Sequence, residues 1–93
     1  MKFSCHCGEV IHDNTDYQSH KAYLIPDETY ESALEKIESG ESPWNALRKV
    51  KRVMYQCHAC ARLFIDDHQG ELICFAPEGD VVFEILKGAA PDA

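Results

Sequence analysis

Nowhere in these 93 residues does an apolar run approach the roughly 18 consecutive residues that a membrane-spanning helix needs. The opening MKFSCHCGEV has none of the apolar stretch of a secretory signal, and no amphipathic basic segment suggests attachment to a lipid surface. Basic residues are scarce: Lys and Arg number 9 against 16 Asp and Glu, a formal net charge of −7. That sign argues against general affinity for nucleic acid, which depends on neutralising phosphates with cations. A phosphate-cradling glycine loop is missing, as are a serine with matched histidine and aspartate and a metal centre with an evident open position, so no enzymatic activity is expected. There is no internal repeat beyond two cysteine turns, no low-complexity stretch and no interdomain linker.

What remains is 45% hydrophobic and 10% aromatic, the composition of a globular chain. The length suits one domain over residues 1–88, with 89–93 expected to fray as a tail of small residues. A chain this short buries a modest share of its surface, so a stabilising metal, crosslink or partner is anticipated. Five cysteines are present. Disulfides would leave one of them unpaired, and without a secretory signal the expected setting is the reducing cytoplasm.

Hydrophobic periodicity predicts an α+β fold, a small antiparallel sheet with two short helices inserted. Residues 1–4 and EVIHD read as strands around a first cysteine turn, and KAYLI as a third strand ending at Pro26. A helix is predicted over 28–39, capped by Asp27 and stopped by Gly40. Tyr30, Ala33, Leu34 and Ile37 would form its core stripe, with Glu28, Glu31, Glu35 and Glu38 on a solvated face. Ser42-Pro43 announces a second helix ending near Val50. Alternation of Val53, Tyr55 and Cys57 predicts a strand, RLFIDD and ELICFAP a hairpin about HQG, and VVFEIL a possible last strand.

The cysteines carry the chemistry. Cys57-His-Ala-Cys60 is a C-x-x-C pair and Cys5-His-Cys7-Gly8 a shorter C-x-C pair before a glycine. Four thiolates suit Zn2+, which is borderline soft and takes tetrahedral geometry, and a closed site of this kind is structural. One pair alone would be weak, whereas two in a short chain make a strong signal. The segment between them is far longer than the roughly 15 to 20 residues usual in such motifs.

At residues 3–13 and 53–76 the chain resembles the zinc-ribbon, or rubredoxin-like zinc-binding, family. The resemblance implies two knuckles on short hairpins clamping one metal beside an antiparallel sheet, with the connection enlarged by a strand and two helices. It implies Cys5 and Cys7 as the first knuckle, with Gly8 in its turn, and Cys57 and Cys60 as the second. Ala61 stands where many ribbons have glycine, and Arg62 at the polar position after it. The family hosts unrelated functions, so it implies a fold and a metal rather than an activity.

Other residues admit two readings. His6 or His58 could replace one thiolate, although a side chain inside a tight knuckle tends to point outward. His12, His20 and His68 read as surface residues, Cys74 as a small buried side chain, and Asp66, Asp67 and His68 as turn residues. Arg48, Lys49, Lys51 and Arg52 could touch nucleic acid but read more simply as a solvated end of the second helix facing the acidic residues 27–41. Trp44, Tyr23, Tyr55, Phe64 and Phe75 could form a stacking platform, yet so small a domain is expected to place them in its core. The function expected is a zinc-stabilised binding or adaptor module with a protein partner; the alternatives are a rubredoxin-like iron electron carrier and a nucleic-acid-associated ribbon.

Overall fold

The computed structural model describes residues 1–14 and 18–88. It is an α+β structure, with the order β1 (Lys2–Ser4), β2 (Val10–His12), β3 (Lys21–Leu24), α1 (Asp27–Glu38), α2 (Pro43–Val50), β4 (Arg52–Gln56), β5 (Leu63–Asp66) and β6 (Leu72–Phe75). As expected the sheet structure is antiparallel, and among the described residues it comprises the pair β1-β2 and the four-stranded β3-β4-β5-β6. The chain divides into two compact units, one made of Met1–Ala22 and the chain from Val53 onward, the other of Tyr23–Arg52. No helix among the described residues is long and apolar enough to cross a membrane. The tail expected to fray, 89–93, lies outside the described residues.

The first unit is organised by strand alternation. Tyr55 stands opposite Phe64, and Phe64 opposite Cys74, so three neighbouring strands direct these side chains to one face. Phe3 of β1 meets that face edge-on, 5.2 Å from Tyr55 and 5.0 Å from Phe64 between ring centroids. Ile11, paired with Phe3 in the hairpin, completes a core that also contains Cys5 and Cys57. Cys74 is half-buried and packs against it, as the sequence suggested. The phenol of Tyr55 donates to Asp13, which also accepts from Lys21 at 2.9 Å.

On the opposite face of β4, Gln56 is a buried polar residue. Its amide nitrogen donates to the carbonyls of Ala61 and Val82, and its side-chain oxygen accepts from the Ile85 amide at 3.2 Å. These bonds account for a correction. Residues 81–86 form no strand, because backbone groups that a ladder would have used are held by one side chain, and Glu84 adopts φ 58°.

In the second unit, α1 begins one residue earlier than predicted, with Pro26 rather than Asp27 at the cap. The Pro26 carbonyl accepts from both the amide and the hydroxyl of Thr29. The helix ends in a Schellman arrangement: Glu41 N–H bonds to Lys36 and Gly40 N–H to Ile37, with Gly40 at φ 107°. Pro43 opens α2 as predicted. The core stripe assigned to α1 is corrected. Ala33 is its only buried residue and Ile37 is half-buried, while Tyr30 and Leu34 are 48% and 42% exposed. In α2 the buried residue is Ala46. A helix pair whose buried residues are alanines has a shallow core. Trp44 and Tyr23 are accordingly exposed, at 76% and 53%, and Phe75 of the first unit is 52% exposed, against the expectation of core use, while Tyr55 and Phe64 are buried as expected.

Candidate metal centre

Each cysteine pair sits where a strand gives way to a turn. The β1-β2 hairpin encloses the first, closed by Cys5 N–H to Glu9 O at 2.7 Å and Gly8 N–H to Cys5 O at 3.0 Å, with Gly8 at φ 97°. Between β4 and β5 lies the second, closed by Cys57 N–H to Arg62 O and Ala61 N–H to Cys57 O, both 2.9 Å. Ala61 takes φ 68°, the left-handed conformation that glycine adopts without penalty. The turn therefore forms despite the alanine, which is buried.

Backbone amides converge on the sulfurs. Cys5 Sγ accepts from the Cys7 amide, Cys57 Sγ from those of Ala59 and Cys60, and Cys60 Sγ from that of Arg62. Both knuckles thus repeat one pattern, an amide two residues downstream bonded to the sulfur. Such bonds stabilise a thiolate.

All four Sγ atoms, of Cys5, Cys7, Cys57 and Cys60, lie within 4.8 Å of one another. Two of the separations join the knuckles directly: Cys5 to Cys60 at 3.5 Å and Cys7 to Cys57 at 3.7 Å. Metal–sulfur bonds of about 2.3 Å in a tetrahedron require edges of about 3.8 Å. The donors are therefore spaced to hold one metal ion, and their softness and number fit a closed four-sulfur site. His6 and His58 are exposed and outside this group. His6 contacts Phe64 edge-on, and His58 lies 3.5 Å from Glu9.

The thiols are unequal. Burial pushes Cys5 up to about 12, and burial also raises Cys57 against the pull of its two amide bonds. Desolvation acts in the same sense on Cys60, but the amide and guanidinium of Arg62, with Cys5 and Cys7 nearby, bring it down to about 6. Arg62 Nη1 lies 3.2 Å from Cys60 Sγ, and the facing sulfur in turn raises the Arg62 pKa. Sequence reasoning placed Arg62 after the knuckle without foreseeing this contact. The available signal was its offset of two from the last cysteine.

No curated protein and no solved structure matches the chain. Residues 1–79 match the family described as Domain of unknown function (DUF8617), a span that includes all five cysteines and, among the described residues, both helices and every strand. On that match, the chain belongs to this family.

Proposed function

We propose that the four cysteines hold one structural Zn2+ and that the chain is a binding module whose metal performs no chemistry. The observation behind this reading is the sulfur cluster itself. Four thiol donors stand at near-tetrahedral spacing, a closed donor set typical of structural zinc. The amide bonds to sulfur and the Arg62 guanidinium offset the excess negative charge that four thiolates place around a divalent ion. The resemblance of residues 3–13 and 53–76 to zinc ribbons agrees with it. In this role the ion joins two hairpins that are remote in sequence and contributes to folding.

The test is metal analysis of natively purified chain, with X-ray absorption at the metal edge. One zinc per chain with Zn–S distances near about 2.3 Å is expected. Stoichiometric iron in red, anaerobically purified protein would replace this reading with the electron-transfer alternative. Retention of a full metal complement by both Cys5→Ser and Cys7→Ser would refute the ligand set.

A further inference from the structure

In the unit Tyr23–Arg52 the aromatics are not in a core as expected, and of its clustered cations Lys49 meets the acidic stretch 27–41 at Glu41. Trp44 is the most exposed large hydrophobic side chain among the described residues, and Tyr23 is more than half exposed. The ammonium of Lys51 sits between them, 4.2 Å from the Tyr23 ring centroid and 5.3 Å from that of Trp44. Cation–π contacts of this length hold both rings in place while leaving other ring surface to solvent.

Among the described residues, Lys49 alone of the four clustered cations meets a carboxylate, that of Glu41 at 3.2 Å. Arg48 bonds to the neutral Asn45 side chain. Among the described residues, neither Arg48, Lys51 nor Arg52 forms an ion pair. Three uncompensated cations thus accompany two exposed, braced aromatic rings on a chain of net charge −7.

We infer that this surface binds single-stranded nucleic acid, with bases stacking on Trp44 and Tyr23 and phosphates meeting Arg48, Lys51 and Arg52. The inference rests on the reading of the chain as a binding module and replaces the protein partner expected from sequence. Cations interleaved with exposed aromatics are the shared chemistry of sequence-tolerant single-strand binding, because every base presents a π-face. An acidic peptide would satisfy the cations but offers no planar surface to the rings. The carboxylates of α1 repel a polyanion, but over a screening distance of about 8 Å at physiological salt they weaken binding without abolishing it.

Trp44 is the only tryptophan, so its emission reports directly on stacking. Metal-loaded full-length chain is titrated with oligothymidylate of about twelve residues at low salt. Saturable quenching is expected, with log K against log salt falling at a slope of about −2 for three phosphate contacts. Affinity should drop about sixteenfold between about 50 and 200 mM salt. Arg48→Glu and Lys51→Glu should each weaken binding at least about tenfold, and Trp44→Ala, followed by anisotropy of a labelled oligonucleotide, by a similar factor. Metal stoichiometry and circular dichroism of these variants should match the parent. No quenching at low salt, or binding unchanged by both charge reversals, would overturn the inference. So would quenching by polyglutamate in preference to the oligonucleotide, which would point to an acidic protein. The metal assay is independent, so loss of oligonucleotide binding with zinc retained removes this inference alone.

Discussion

The hydroxyl of Tyr55 donates to the carboxylate of Asp13 across 42 positions of sequence, fixing the end of the first hairpin to the centre of the four-stranded sheet. The bond lowers the Asp13 pKa. Desolvation opposes the shift, and Lys21 reinforces it. A carboxyl held below its unfolded value stabilises the fold fully above that value, about 3.9, and the contribution disappears as pH falls through the lower folded value. Tyr55→Phe should therefore cost about 1.5–3 kcal/mol at neutral pH. Denaturant titration should show that difference shrinking below about pH 4, and a constant difference would mean that the hydroxyl acts through packing alone.

Replacing any one ligand cysteine by serine should lower metal occupancy and loosen the first unit, whereas Cys74→Ser should keep full metal, since Cys74 lies outside the sulfur cluster. Arg62 supports a ligand without being one. Arg62→Ala should reduce metal affinity by about 10- to 100-fold in competition with a chelator, the usual consequence of removing a partner of a ligand atom. Equal affinities would show that the guanidinium contact is incidental.

Gln56 is the clasp of residues 81–86. In Gln56→Ala the Val82 carbonyl and the Ile85 amide lose their partner, and the Ala61 carbonyl loses one donor. Amide hydrogen exchange at Ile85 should accelerate strongly, with a global cost of about 1–3 kcal/mol if the released groups stay buried. Exchange as slow as in the parent would place the hold on this segment elsewhere.

Ala61 sets two effects against each other. Its left-handed conformation costs about 1–2 kcal/mol relative to glycine, while its buried methyl gains about 0.8 kcal/mol. Ala61→Gly should thus raise stability slightly, by up to about 1 kcal/mol, with unchanged metal content. A clear loss of stability would show that methyl packing dominates.

The four clustered cysteines and the order of elements were legible in the sequence because both rest on short-range rules. Cysteine spacing marks a knuckle, alternation marks β4 to β6, and Ser42-Pro43 and Gly40 bound the helices. Illegible were features that depend on what is far away in the chain. Tyr30 and Leu34 lie at core spacing on α1, but spacing cannot show that the opposing helix buries only an alanine. VVFEIL has strand composition, yet Gln56 takes the backbone groups that a strand would use. Lys51 reads as one more cation until Tyr23, brought alongside by the pairing of β3 with β4, closes over it.

The division of the proposed ligands between an earlier pair, Cys5 and Cys7, and a later pair, Cys57 and Cys60, has a consequence for synthesis. Once Cys7 has been made, a growing chain carries two of the proposed donors, but two donors make a poor and labile metal site. The remaining pair emerges only after both helices and β4 have been made. A nascent chain interrupted before Cys57 cannot retain the ion tightly, and one that has cleared Cys60 can. In the proposed site, metal loading thus distinguishes chains that extend past Cys60 from those that stop before Cys57.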